Sequence, residues 1–236
     1  MTTTEVKLGE FFNQTWEIYR KAVQFNLGAH KEIAIVLRDF LAVHAPTQFS
    51  LLDIGCGDAV IATEILKDVP IARYLGVDLS KIALNYAKKN MESYNFNKKF
   101  IVGDFKEVII RFHSEFDIVV AGYSVHHLLL ENKLDLFRDI RSALKPNGYF
   151  IIYDPMREND EKREVFLKRQ WENFNNEVMT DEEKNLIYEH FITSDYPESF
   201  ETLRSLAQKS GFLQPQSLLW DDNKVINLSV LPISKN

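Results

Sequence analysis

The stretch LLDIGCGDAV, at residues 51–60, places two glycines and two carboxylates in one short turn. An apolar run typical of a strand precedes the turn, and the segment after it has helical spacing. Gly55 and Gly57 lack a Cβ, so their backbone can approach a ligand closely. Asp53 and Asp58 flank this backbone with negative charge. The pattern predicts a ligand site at the carboxyl end of a strand in an open parallel sheet.

The turn does not match the phosphate-binding motifs. A P-loop requires a Gly-Lys pair, and the chain contains none. The dinucleotide fingerprint G-x-G-x-x-G requires a third small residue, where this chain has Val60. Asp58 also places a carboxylate at the helix N-terminus, where it would compete with a pyrophosphate. A positively charged ligand therefore fits this turn better than an anion.

The elements around the turn alternate between short apolar runs and amphipathic segments. Five runs are predicted strands: SLLDI, RYLGVD, KKFIVGD, FDIVVAG and GYFIIYD. Four segments between them are predicted helices: AVIATEILKD, SKIALNYAKKNMESY, FKEVIIRF and KLDLFRDIRSALK. This alternation is typical of a doubly wound α/β fold with helices on both faces of a parallel sheet. Two further strands, FLQPQSLLW and VINLSVLPI, predict an antiparallel edge hairpin and bring the expected total to seven strands.

Two helical segments accompany this sheet. Residues 1–45 are predicted to form an N-terminal helical arm, in which aromatic residues recur at three- and four-residue steps. Residues 46–236 form the main domain. Within it, residues 155–195 are charged and helical in period, and we expect this insertion to be a lid over the carboxyl edge of the sheet.

Five motifs in order resemble those of the class I S-adenosylmethionine-dependent methyltransferases. They are DIGCGDA (53–59), LGVDLS (75–80), VGDF (102–105), FDIVVAGYSVHHL (116–128) and LKPNGYFIIYDP (144–155). The resemblance is strong over residues 50–153 and weak elsewhere. It implies a Rossmann-like fold, S-adenosylmethionine as cofactor and S-adenosylhomocysteine as product. A cationic cofactor agrees with the preference of the turn for positive charge.

The resemblance also implies roles for individual residues. The glycine turn would wrap the methionyl part of the cofactor, and Asp78 would bind both ribose hydroxyls. Asp104 would meet the adenine amino group, with Phe105 lining the ring. On the arm, Arg20 could pair with the cofactor carboxylate. The complete predicted cofactor-binding set is Asp53, Gly55, Cys56, Gly57, Asp78, Leu79, Asp104, Phe105, Ala121, Tyr19 and Arg20.

The catalytic candidates follow the fourth predicted strand. They are Tyr123, His126 and His127. Methyl transfer mainly requires that the acceptor be positioned and water excluded, with a base needed only for a protonated acceptor. Histidine is the best base available near neutral pH. We expect one histidine to face the acceptor and the other to pack inside, and we favour His126 for the acceptor side.

Composition narrows the classes of partner. The formal net charge of −6 gives no basic footprint for nucleic acid or an anionic membrane. The chain has a single cysteine, which excludes a disulfide framework and a cysteine-based zinc site, and we expect no metal. We find neither a membrane-length apolar stretch nor a secretory signal, so the expected location is cytoplasmic. An acidic protein with a lid predicts a small-molecule acceptor, methylated at oxygen or nitrogen, in a monomer or homodimer.

Other functions stay open at this point. Gly122-x-Ser124 follows a strand as a hydrolase nucleophile does, but His126 stands where the elbow needs glycine. Val60 and the flanking acids disfavour a nicotinamide oxidoreductase. A module that binds S-adenosylmethionine without catalysis and a methyltransferase acting on a protein are the remaining alternatives, because a fold does not prove a chemistry.

Overall fold

The computed structural model of the chain describes residues 3–175 and 177–234. Two helices, α1 (Thr3–Gln24) and α2 (His30–His44), precede the sheet. The alternating part follows as β1 (Phe49–Ile54), α3 (Val60–Ile65), β2 (Ile71–Asp78), α4 (Lys81–Asn90), β3 (Asn97–Val102), α5 (Phe105–Ile109), β4 (Phe116–Gly122), a 3-10 turn (Val125–His127), α6 (Leu130–Ala143) and β5 (Leu144–Arg157). The last part contains α7 (Arg163–Phe174), α8 (Asp181–Ser194), β6 (Glu198–Ser199), α9 (Phe200–Lys209), β7 (Gln216–Trp220) and β8 (Ile226–Pro232).

The strands form one twisted layer in the order β3-β2-β1-β4-β5-β8-β7. β1 to β5 are parallel, whereas β8 runs antiparallel to both β5 and β7. The doubly wound α/β class and the antiparallel edge hairpin are thereby confirmed. The order reverses between β1 and β4, so the segments that leave these two strands lie side by side at the carboxyl edge. Ligands bind open α/β sheets at such a switch point.

The expectation of seven strands is wrong, because the described residues form eight. The additional strand is β6, which pairs Glu198 with Met156 and Ser199 with Arg157 at the end of β5. Two residues are too few to show alternation of polar and apolar side chains, so this strand has no periodic signal in the sequence. The segment Pro146 to Gly148 lies within β5.

Alternation along the strands supplies a hydrophobic core on each face. Leu51 points to one face, where α2, α3, α4 and α7 pack, and Leu52 points to the other, where α5, α6 and α9 pack. Helix α2 therefore belongs to a layer on the sheet. Helix α1 instead packs on α8 and the residues before it, because its Ile18 and Ala22 form a separate cluster with Met179 and Ile187.

Among the described residues, no helix is long and apolar enough to cross a bilayer.

Candidate active site

The glycine turn after β1 is held in a conformation that favours glycine. Gly55 has φ +71° and Gly57 has φ +54°. A Cβ at Gly55 would lie 2.6 Å from the Cβ of Ser124, and one at Gly57 would lie 3.3 Å from the Trp16 ring. A side chain at either glycine is therefore disfavoured by backbone conformation and by close neighbours, one from the segment after β4 and one from α1.

Asp78, at the end of β2, binds the turn directly. Its Oδ2 accepts a hydrogen bond of 2.8 Å from the Gly57 N–H, and its Oδ1 accepts one of 2.7 Å from the Ser80 N–H. Ser80 caps α4 by accepting from the Ala83 N–H. Burial raises the pKa of Asp78, and the two backbone donors oppose this shift.

Asp53 lies beneath the turn and does not line the cavity. It is 5% exposed, and its Oδ2 accepts a hydrogen bond of 2.7 Å from the Tyr74 hydroxyl. Burial raises the pKa of Asp53 to about 7. Cys56 packs against the backbone of Gly76, and burial raises the pKa of its thiol. These side chains support the turn from behind.

A cavity of about 580 Å³ opens in front of the turn. Seven of the predicted cofactor residues line it: Tyr19, Gly55, Gly57, Asp78, Leu79, Asp104 and Phe105. Asp104 caps α5 and accepts a hydrogen bond of 2.8 Å from the Lys106 N–H. Four predicted residues are absent from the lining that the structure describes: Asp53, Cys56, Ala121 and Arg20. Arg20 instead stacks on the Tyr86 ring and pairs with Glu17.

All three catalytic candidates line the same cavity. His126 and His127 are both among the lining residues, and the 3-10 turn places their ring centroids 3.9 Å apart; which of them faces the acceptor stays a prediction. His126 Nδ1 lies 2.7 Å from Asp154 Oδ1. The Tyr123 hydroxyl donates to the Gly28 carbonyl, between α1 and α2.

A buried carboxylate that the sequence analysis missed lies among these histidines. Asp195 is 1% exposed, and its Oδ1 is 3.1 Å from His127 Nδ1, 3.7 Å from His126 Nε2 and 3.5 Å from His190 Nε2. Burial lowers the pKa of His190 to about 4 and also lowers that of His127. Burial has the same effect on His126, but Asp154 and Asp195 outweigh it and raise its pKa.

Helices α1, α7 and α8 also contribute lining residues to the cavity. Lys21 forms an ion pair of 2.6 Å with Glu183, which joins α1 to α8. The Phe11 ring stacks on His190 with centroids 4.2 Å apart. Helix α1 also contacts the N-terminus of α4, where the Ser80 hydroxyl donates to Asn13 Oδ1 at 2.7 Å. These contacts were not predictable from spacing, since each joins residues that are distant in sequence.

Curated proteins share parts of this chain. Malonyl-[acyl-carrier protein] O-methyltransferase of Halalkalibacterium halodurans is 36% identical over 105 residues, which are 44% of this chain and 38% of that protein. Carboxy-S-adenosyl-L-methionine synthase of Glaesserella parasuis is 24% identical over 152 residues, or 62% of each protein. The aligned part therefore covers less than two thirds of either relative.

A solved structure shares the fold over nearly the whole chain. Magnesium protoporphyrin IX methyltransferase of Synechocystis, with bound S-adenosylhomocysteine, has a TM-score of 0.69 at 14% identity and covers 98% of this chain and 99% of its own. The family described as "Methyltransferase domain" matches residues 47–210, more than half of the chain. The chain thus belongs to this methyltransferase-domain family, in agreement with the family that its motifs resemble.

Proposed function

We propose that the chain transfers a methyl group from S-adenosylmethionine to a small-molecule acceptor, at an oxygen or a nitrogen atom. One observation carries the proposal: the glycine turn, Asp78 and the His126–His127 pair line a single cavity beneath α1 and the lid. In-line displacement requires that cofactor and acceptor meet in a fixed orientation. A shared, covered cavity supports that arrangement.

The residues on the cofactor side fit S-adenosylmethionine in shape and charge. Asp78 uses each oxygen for one backbone N–H, and each oxygen retains a further acceptor site for a ribose hydroxyl. Gly55 and Gly57 present bare backbone to the methionyl part, and Asp104 with Phe105 would bound the adenine. The bound cofactor supplies a sulfonium-activated methyl group.

Part of the acceptor side is apolar, which supports a small molecule. Five apolar side chains from α1 and the lid helices line it: Phe11, Phe12, Phe174, Ile187 and Phe191. Such a wall excludes water and thereby strengthens electrostatic interactions with the reacting groups. Tyr123, His126 and His127 are the polar groups that we place beside the acceptor.

Oxygen is the acceptor atom to test first. The relative from Halalkalibacterium halodurans is named as an O-methyltransferase, although the similarity covers only 38% of it.

Transfer of labelled methyl from S-adenosylmethionine tests the proposal. Small carboxylic acids, phenols and amines are offered separately, and label in extracted product is compared with S-adenosylhomocysteine formed. We expect the two to appear in equal amounts with one class of small molecule and to disappear together in Asp78→Ala. Label recovered only in added proteins would contradict a small-molecule acceptor. Tight cofactor binding without turnover in a metabolite extract would favour a binding module.

A further inference from the structure

Four ionisable side chains converge at the acceptor side of the cavity. His126 and His127 come from the 3-10 turn after β4, His190 comes from α8, and Asp195 directly follows α8. The three ring nitrogens nearest to Asp195 Oδ1 are 3.1 to 3.7 Å away from it. The fold thus gathers three imidazoles around one carboxylate inside the protein.

Well-formed hydrogen bonds do not account for this cluster. Among the described residues, His127 Nδ1, His190 Nε2 and both oxygens of Asp195 have no partner of good hydrogen-bond geometry, although His127 Nδ1 lies 3.1 Å from Asp195 Oδ1. A buried, ionised carboxylate requires compensating positive charge. A cation among these atoms would supply that charge.

The separations fit a common metal ion. Ligand atoms at about 2.0–2.1 Å from a tetrahedral metal lie about 3.3–3.4 Å from one another. The three nitrogen-to-oxygen distances bracket this value. The candidate ligand atoms of His126, His127 and Asp195 also all lie within 4.8 Å of one another.

A second carboxylate orients one of the candidate ligands. His126 Nδ1 lies 2.7 Å from Asp154 Oδ1, and both side chains are buried. Histidines that bind metals usually donate their other ring N–H to a carboxylate in this way. The bond to Asp154 leaves His126 Nε2 directed at the cluster.

We propose that His126 Nε2, His127 Nδ1 and the Asp195 carboxylate bind a divalent first-row transition metal, with His190 beside the site. Nitrogen ligands with one carboxylate suit Zn²⁺ or Fe²⁺ and disfavour Mg²⁺. If the chain methylates a small molecule in this cavity, as proposed above, the metal would act as a Lewis acid that positions the acceptor oxygen or nitrogen. The expectation of no metal considered cysteine ligands, of which the chain has only one. The ligands proposed here are two histidines and a carboxylate.

The metal content of the purified chain tests the proposal without an assay of turnover. The purified chain is stripped with a chelator, loaded separately with Zn²⁺, Fe²⁺ under anaerobic conditions, or Mg²⁺, desalted and analysed by mass spectrometry for metal. We expect close to one Zn²⁺ or Fe²⁺ per chain and little Mg²⁺. X-ray absorption of the loaded chain should show nitrogen and oxygen ligands at roughly 2.0–2.2 Å.

Variants assign the metal to this cluster. Asp195→Asn keeps the side-chain shape but removes the charge, and His127→Gln removes a ring ligand; each should weaken metal binding at least about tenfold. Asp154→Asn should weaken it about 10–100-fold through the orientation of His126. His113→Gln, at an exposed histidine bonded to Ser142, is the matched control and should retain the metal.

Two results would overturn the proposal. One is a wild-type chain that retains no metal after any loading, which would make the cluster a network of ionised side chains only. The other is equal metal retention in Asp195→Asn, His127→Gln and the wild type. Titration with S-adenosylhomocysteine separates this failure from that of the proposed function, because cofactor binding without metal would reject the metal site alone.

Discussion

Burial of Asp53 disfavours the ionised form of its carboxyl group. Its pKa of about 7 in the folded protein lies above the ordinary value of about 3.9 expected after unfolding. Between these values the folded state holds the proton more tightly, so Asp53 lowers stability progressively as pH rises from about 4 to about 7. The contribution to the free energy of unfolding is at most about 1.4 kcal/mol for each pH unit.

We therefore expect Asp53→Asn to remove this loss. The variant should gain stability relative to the wild type as pH rises through that range, because asparagine keeps an acceptor for Tyr74 and has no proton to lose. Urea unfolding at several pH values measures the difference, with Asp39→Asn on the exposed face of α2 as control. Parallel pH profiles of Asp53→Asn and the wild type would show that burial of this carboxyl is not penalised.

Substitution of Gly55 and of Gly103 by alanine tests where glycine is required near the cavity. Gly55→Ala would place a methyl group 2.6 Å from Ser124 Cβ in a left-handed conformation, which costs about 1–2 kcal/mol from backbone strain alone. Gly103→Ala would meet its nearest described neighbour at 3.6 Å, an ordinary contact. We expect the first to lower the melting temperature and the affinity for S-adenosylhomocysteine, and the second to change both little. Equal effects would refute the requirement for glycine at position 55.

At the residue scale, the sequence predicted the positions of residues that belong to a local motif. Gly55, Gly57, Asp78 and Asp104 occupy the expected strand ends, because the spacing between a strand and its following turn is local. His190 and Asp195 escaped prediction as partners of His126, since they come from the lid and approach only through packing between distant segments. A polar residue directly after a helix has no sequence signal that distinguishes this burial from a surface position.

The elements were predictable where they were long and periodic. The order of strands and helices from β1 to β5 follows from alternating apolar runs, and the reversed hairpin follows from its turn. The two helices of the predicted arm pack in different places. Helix α2 buries Leu37 and Leu41 in the sheet core, whereas α1 packs on α8. Periodicity shows that a helix has an apolar face but not which neighbour covers it.

The position of α1 predicts that cofactor binding will order this helix. Trp16 and Tyr19 lie over the Gly57 turn, so a ligand held there gains contacts with α1 as well as with the sheet. Saturating S-adenosylhomocysteine should slow amide hydrogen exchange in residues 9–24. Exchange in α9, which packs on the opposite face, serves as the internal control and should not change. Protection limited to the turns after β1 and β2 would mean that α1 does not take part.

At the scale of the whole molecule, the two sides of the cavity are built by different parts of the chain. The cofactor side is built by the carboxyl ends of parallel strands, where the fold itself fixes the geometry. The other side, where we propose that the acceptor binds, is built by α1, α7 and α8, and α1 packs on α8 through Ile18, Ala22 and Ile187. This division explains why the motifs predict the cofactor and leave the acceptor to be identified.

Calorimetric titration with S-adenosylhomocysteine tests the central claim, that the cofactor binds against the glycine turn and Asp78. The wild-type chain should bind one ligand per chain. Asp78→Ala should weaken binding at least about tenfold, because each hydrogen bond to a charged group contributes about 1.5–3 kcal/mol. Asp39→Ala, on the exposed face of α2, should bind as the wild type does. Unchanged affinity in a folded Asp78→Ala chain would contradict this account of the site.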